Sequence, residues 1–421
     1  ATWWPLALSW LMMSLELPLV SAVMARLPHP DISLAAYGGV VFPLALIVEA
    51  PVIMLLAAST ALCRDWDSYV KVRGFMALSA GVLTLLHILI VATPLYDVVV
   101  GSWIGAPEVI RHPARIGLLI MTPWTAAIAY RRFQQGILIR FGASRAVSIG
   151  TGIRLGANLV TLAAGALVFR ADGIVVGAAA VAAGVVAEAI YAGLRVRPVL
   201  RERLRPAPPQ ERPLTTSRFA RFYTPLALTS LITLIAHPII SAGLTRMPLA
   251  LDSLAVWPVL SGLVFMFRAL GFSYNEVVVA LLDEPGSKPV LRRFIFELAA
   301  GASALLLLVC ATPLGWVWFH HVSGLSESLA RLGVATLWIA MPLPALAVLQ
   351  SWHQGALVHF QRTRGVTESV VLGLLVTVVI LVAGIAYGGI AGLPVVFAGA
   401  LASGIAQTVW LAGRRGQAER A

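Results

Sequence analysis

Charge is what this sequence has least of: Asp, Glu, Lys and Arg make up 12% of its 421 residues, against about a quarter in a soluble domain. So few charges cannot coat a water-soluble globule of this size. Cysteine is nearly absent too, and Cys63 and Cys310 lie too far apart in sequence for a metal-binding spacing. They are expected as buried free thiols, and no metal site is expected. The two-residue alternation of a membrane barrel is missing. Also missing are a phosphate-cradling glycine loop, a nucleophile elbow and a cluster of metal ligands, which argues against an ATP-driven engine and against an enzyme. The first apolar stretch lacks a basic leader and runs on into further apolar stretches, so no cleavable signal is expected.

What the chain has is apolar length. Hydrophobic residues make up 59%, and the mean hydropathy is +0.87. Backbone groups in lipid must bond within their own segment, so long apolar runs mean helices. Hydropathy predicts an all-α, polytopic membrane protein of twelve spans, near 3–26, 34–61, 74–96, 114–131, 146–169, 173–194, 221–246, 253–282, 294–319, 332–357, 367–388 and 390–413. Lys and Arg number 23 in the loops after even spans plus the C-terminal tail, and 6 in the opposite loops. That bias puts both termini in the cytoplasm and the chain in the plasma or inner membrane as a multi-pass protein. The formal charge of +12 is thus an orientation signal, and no nucleic-acid partner is expected. The Arg- and Pro-rich stretch from Arg195 reads as a cytoplasmic tether, with lipid headgroups as its alternative partner. The expected organisation is 1–194 as one six-helix lobe, 195–220 as linker and 221–421 as the second lobe.

The chain repeats itself. Shifted by 220, Pro5 meets Pro225, Pro18 meets Pro238, Arg26 meets Arg246, and Ser33-Leu34-Ala35 meets Ser253-Leu254-Ala255. Shifted by 219, Ala92-Thr93-Pro94-Leu95 meets Ala311-Thr312-Pro313-Leu314, Pro123 meets Pro342, and Gln135-Gly136 meets Gln354-Gly355. A single one-residue slip separates the two registers. Each copy holds six spans, an even number, so both enter the membrane with the same orientation. Parallel repeats of this kind place a substrate site between the halves and suit alternating access.

The six-helix repeat and the Gln-Gly motif after span 4 resemble the multidrug/oligosaccharidyl-lipid/polysaccharide (MOP) flippase superfamily, which includes the MATE exporters. The first half looks most like the progressive ankylosis (ANK) family, through Trp4-Pro5-Leu6, Leu34-Ala35-Ala36-Tyr37-Gly38, Leu86-His87-Ile88-Leu89-Ile90 and Gly136-Ile137-Leu138-Ile139. The resemblance implies a V-shaped pair of six-helix bundles working as an exporter. MATE relatives exchange drugs, often cationic, for protons or sodium. ANK relatives are associated with efflux of small anions, and other branches flip lipid-linked sugars.

Ionisable residues at membrane depth are functional candidates by default. Glu16 lies mid-span two residues before Pro18, and Glu49 precedes Pro51 in the same way. Both are candidates for ion coupling, and Glu16 resembles the coupling acid that some MATE relatives carry in their first helix. In the second copy the shift of 220 sets Ala236, beside His237, against Glu16, and Ala269, beside Arg268, against Glu49. Arg268 and His237 are therefore candidates for substrate binding, since a guanidinium fork suits carboxylate or phosphate. Structural pairing of Arg268 with a carboxylate is the alternative. Asn275 and Glu276 extend the candidate lining. Arg154 and Asn158 share one face of span 5, with Glu188 as a plausible partner. His87, Glu297 and the His320-His321 pair are expected to make structural or interfacial contacts.

The expected activity is therefore secondary-active export of a small anionic or zwitterionic molecule, coupled to H+ or Na+, with no cofactor. The partners are the substrate, the coupling ion and membrane lipid. The alternatives are a cationic drug antiporter and a flippase for a lipid-linked saccharide.

Overall fold

The computed structural model describes residues 3–420 apart from 211, 212, 283, 285, 361 and 363. The described residues are almost wholly helical. Among the described residues nine helices are long and apolar enough to cross a membrane, and a pair bent by 40°, Glu327–Ala340 and Leu343–Val358, makes a tenth if it counts as one span. The other two of the twelve expected spans are broken helices: Trp3–Ser14 with Glu16–Met24, and Glu108–Ile120 with Thr122–Arg140.

Proline explains the breaks. A prolyl ring removes one donor and clashes with a carbonyl one turn back. Span 1 breaks at Leu15, three residues before Pro18, and span 7 breaks at Ile235, three before Pro238. Span 4 breaks at Met121, two residues before Pro123, and span 10 breaks between Ala340 and Leu343, around Pro342. Each break recurs in the second copy.

The repeat persists at single hydrogen bonds. Thr93 Oγ1 donates to Leu89 O at 2.6 Å, and Thr312 Oγ1 to Leu308 O at 2.6 Å. Arg26 Nη1 donates to Ala22 O at 2.6 Å and Arg246 Nη1 to Ala242 O at 2.7 Å. His29 and Leu249, equivalent residues ahead of spans 2 and 8, both have positive φ, 52° and 54°. The Gln-Gly motif has a steric meaning. A Cβ on Gly136 would overlap Ser59 Oγ and Leu56 O, and one on Gly355 would lie 2.8 Å from Val278 Cβ and 3.0 Å from Asn275 O. Leu56 matches Asn275, and Ser59 matches Val278, so the same close crossing is built twice. Small residues let backbones approach in this way.

These pairs also bound the one-residue slip, which falls between Ala36 and Leu56. That stretch contains a π turn, Tyr37–Val41, a form that houses one extra residue in a helix. Span 8 passes the same place as an unbroken α-helix, Ala250–Leu281. The same stretch also holds a break in the helix between Glu49 and Leu55, so the extra residue lies at one of these two places, and Glu49 falls opposite Arg268 or its neighbour Ala269.

By packing, the chain forms two compact units, Ala1–Gly38 with Ile239–Ala421, and Gly39–Pro238. The packing boundary thus differs from the repeat boundary: the first span packs in the unit that carries spans 8 to 12. In that unit Trp10 lies 5.7 Å from Phe272, ring to ring. In the other unit, span 6 continues as helix to Leu204, so much of the expected tether is helical. The remainder is held down. Gln210 N donates to Asp65 Oδ2 at 2.9 Å, Lys71 Nζ donates to Leu214 O at 2.8 Å, and the Arg205 guanidinium lies 4.7 Å from the Trp66 ring.

Two predictions follow from this packing. Replacing Gly136 by Ala gains intrinsic helix propensity but forces the crossing apart, a net loss of about 1–3 kcal/mol. Gly355→Ala, with looser neighbours, should lose less; thermal unfolding in detergent compares the two. Asp65 caps span 3 through Ser68 N at 3.0 Å. Burial alone would raise its carboxyl, but hydrogen bonds from Ser68 and Gln210 outweigh it and hold the pKa down at about 2. A depressed carboxyl stabilises the fold above its ordinary value near 3.8, and that stability is lost as pH falls toward about 2. Asp65→Asn should cost about 1 kcal/mol near neutral pH and flatten the acid limb of an unfolding profile.

Candidate functional site

Span 4 was expected to end at residue 131, with the following Arg, Gln and Gly in a cytoplasmic loop. Its second helix instead runs from Thr122 to Arg140, and Arg131, Gln134 and Gln135 are buried inside the bundle. Hydropathy failed here because the helix carries a polar stripe that faces protein. Trp124, Arg131 and Gln135 fall on one face, at intervals of seven and four residues.

That stripe meets two buried carboxylates. Arg131 Nη1 donates to Glu188 Oε2 at 2.6 Å, and Gln135 Nε2 donates to Glu188 Oε1 at 2.9 Å. The Trp124 indole N–H donates to Glu49 Oε2 at 2.5 Å. The guanidinium of Arg154 lies 5.8 Å from the Trp124 ring centroid. Arg132, half-buried, is close enough to interact electrostatically with both Glu49 and Glu188, but its Nε has no hydrogen-bond partner and it makes no ion pair among the described residues. Three arginines therefore face two carboxylates, leaving one positive charge in excess when all are ionised. Asn158 packs against span 6: a Cβ on Gly184 would lie 3.0 Å from Arg154 O and overlap the Asn158 side chain. Spans 2, 4, 5 and 6 thus hold one polar cluster in the unit Gly39–Pro238.

The second repeat shows that the fold does not need these charges. Arg131 corresponds to Gln350, which donates to Gly404 O at 3.0 Å, and Glu188 corresponds to Gln407, which donates to Ser403 Oγ at 3.0 Å. Arg154 corresponds to Gly373 and Asn158 to Thr377. Neutral side chains fill the same helix crossings.

The structure gathers Glu49, Arg154 and Asn158, together with the Glu188 that sequence reasoning placed beside them. It adds Arg131, Arg132 and Gln135, which that reasoning left in a loop. The signal that would have found them was the repeated Gln-Gly pair: a motif kept in both copies beside a close-packing glycine belongs to a helix crossing. The other expected residues lie apart from this cluster. Glu16 is half-buried at the break of span 1, and Arg268 and Asn275 are half-buried on span 8, in the other packing unit. Arg268 sits 5.3 Å from the Phe272 ring centroid with its Nε unbonded. No carboxylate pairs with it among the described residues. His237 is half-buried at the break of span 7. The Glu276 side chain lies outside the described residues. His87 Nε2 donates to Leu118 O at 2.9 Å, Glu297 accepts an exposed bond from Arg293, and His320 Nδ1 donates to Leu325 O at 2.9 Å. The first ties span 3 to span 4, and the other two are local.

No family model matches the sequence, and no characterised protein matches it by sequence. Solved structures do match the fold. An inward-facing multidrug-resistance MATE transporter of the MOP superfamily superposes with a TM-score of 0.69 at 15% identity, covering 99% of this chain and 98% of that one. A MOP-superfamily transporter from Pyrococcus furiosus, described as having a binding pocket of reversed polarity that suggests a different function, gives 0.65 at 16% identity over 98% and 95%. The lipid II flippase MurJ, in an inward closed conformation, gives 0.70 at 13% identity over 96% and 85%. All three superpositions take in nearly the whole of this chain, so the chain has the MATE-type fold that these transporters share.

Proposed function

We propose that this chain is a secondary-active transporter that exports a small anionic molecule by alternating access, coupled to H+ or Na+. The observation that carries the reading is the buried cluster on spans 2, 4, 5 and 6. A charge at membrane depth is expensive unless compensated. Here the second repeat does the same packing with Gln350 and Gln407, so the charges serve something other than packing. Their balance is positive, with Arg132 lacking an ion pair. Arg268, beside or at the place in the second repeat that corresponds to Glu49, also lacks a carboxylate among the described residues. A guanidinium without a carboxylate in a dry bundle suits an anion that arrives and leaves, because charge-assisted bonds to carboxylate or phosphate are then available.

The fold supports the mechanism. Its neighbours include MATE proteins in inward-facing and outward-facing conformations, and one relative whose pocket polarity is described as reversed. The likeness of the first 150 residues to the ANK family points to small anions in the same direction. A lipid-linked saccharide joined through phosphate is the second reading, favoured by the MurJ superposition; it would use the same arginines. A cationic drug is disfavoured by the charge balance. Glu49 is the leading coupling residue: a buried carboxylate beside three guanidiniums gains or loses a proton at the expense of its neighbours' compensation. Glu16 is the second.

Flux into reconstituted vesicles, against a panel of small anions and cations, tests the reading. Anion flux should exceed cation flux in the parent. Arg132→Gln and Arg268→Gln should each lower it about tenfold or more, the worth of one charge-assisted hydrogen bond. Parent-level anion flux in both variants would remove the anion assignment. Glu49→Gln should abolish the response of flux to an imposed pH or sodium gradient while leaving folding intact, since Gln can still accept the bond from Trp124. A gradient response like the parent's in Glu49→Gln would shift coupling to Glu16, for which Glu16→Gln is the matched test.

A further inference from the structure

Span 7 reaches the neighbourhood of Glu49 through one hydrogen bond. Span 2 stops being an α-helix at Glu49 and resumes at Leu55. Across the gap the backbone is wound tightly: Val52 N donates to Glu49 O at 2.9 Å and Leu55 N to Val52 O at 3.1 Å, each three residues back. In a continuous α-helix Leu55 N would reach one residue further, to Pro51 O. Tyr223 of span 7 takes that carbonyl, its hydroxyl donating to Pro51 O at 2.5 Å. The ring behind the hydroxyl is buried, stacked 5.3 Å from Phe219 and edge-on 4.9 Å from Phe75 of span 3.

Pro51 O thus has one donor from span 7 and a second one turn away along its own chain. Proline does not forbid the second, because it removes the donor of residue 51 and leaves its acceptor. Span 8, with Leu270 or Gly271 in place of Pro51, runs unbroken through the corresponding stretch as Ala250–Leu281. The two sides of the break in span 2 are held differently. Leu55–Leu62 is fixed on span 4, where Leu56 O and Ser59 crowd Gly136, and the other side ends in Glu49, which accepts from the Trp124 indole of the same span. Each residue rewound from the tight form to α turns the chain by about 20° less and shortens it by about 0.5 Å. With Leu55–Leu62 fixed, that change falls on Glu49. Span 7 itself changes packing unit near its own break: Thr216–Leu234 lies in the unit of spans 2 to 6, and the chain from Ile239 in the other.

We propose that Tyr223 is a positioning residue for Glu49, a latch whose hydroxyl holds span 2 broken and Glu49 on Trp124 while the first half of span 7 stays packed on spans 2 and 3. When that half of span 7 departs, Leu55 N takes Pro51 O, the break winds up, and Glu49 turns away from Trp124. Pro51 O exchanges one donor for another, so the two states are close in energy, as a two-state element requires. The part this plays in ion coupling rests on the transport reading above; the latch itself does not.

The test places nitroxides on Gly74→Cys and Arg221→Cys, exposed positions near Phe75 and Tyr223, in the full chain carrying Cys63→Ala and Cys310→Ala, and reads their separation by electron paramagnetic resonance. The parent should show one dominant distance. Tyr223→Phe keeps the ring and loses the bond, so it should shift the ratio of latched to unlatched chains about tenfold and raise a longer distance. Trp124→Phe should raise the same distance, because coupling between two places is reciprocal. Phe75→Leu, which loosens the ring cluster and keeps the hydroxyl, should resemble the parent. A parent-like distribution in Tyr223→Phe, or an equal shift in Phe75→Leu, would overturn the latch. No shift in Trp124→Phe would overturn its link to Glu49. In vesicles Tyr223→Phe should carry anion with a weakened response to an imposed gradient. Absence of anion flux in the parent would remove the transport reading alone, since the distances do not depend on it.

Discussion

A guanidinium buried among helices must be answered by something, because the low-dielectric interior offers neither water nor screening ions. Much of the unit Gly39–Pro238 is arranged around that demand. Glu188 on span 6 answers Arg131 on span 4, Gln135 completes its carboxylate, and Trp124 turns its indole N–H to Glu49 on span 2. Spans 2, 4 and 6 are thereby tied through side chains. Polar bonds between helices carry special weight in lipid, where burial of apolar surface gives helices no preference for each other over acyl chains.

The comparison between copies gives this arrangement its meaning. Where one repeat has Arg131 and Glu188, the other has Gln350 and Gln407, each donating to a neighbour at 3.0 Å. Duplication thus works as an internal control: what both copies share is architecture, and what only one has is available for chemistry. The prolines near the helix breaks and the Gly136 and Gly355 crossings belong to the first class. The charged cluster and the bond from Tyr223 to Pro51 belong to the second.

Spans and repeat were legible because they rest on long-range averages, apolar length and self-similarity, which survive local exceptions. Individual site residues were legible in part. Glu49, Arg154, Asn158 and Glu188 stood out as lone polar groups in apolar runs, and all four take part in one cluster. Arg131 and Arg132 did not, because two adjacent arginines followed by two glutamines read as the end of a span by hydropathy. An inward-facing polar stripe and a cytoplasmic loop have the same composition, and only packing tells them apart. The tether looked like free chain because Pro and Arg are typical of linkers, yet Gln210 and Leu214 are bonded to Asp65 and Lys71.

The Gly136 and Gly355 crossings have a mechanical side. Backbones in direct contact cannot slide without a clash, so spans 2 and 4, and likewise spans 8 and 10, are stiff against shear at those points. Bending is easiest where a prolyl ring removes a helical donor, at Pro18, Pro123, Pro238 and Pro342. The sequence therefore lays out rivets and creases at corresponding heights in both copies, and any change of shape is channelled into the creases.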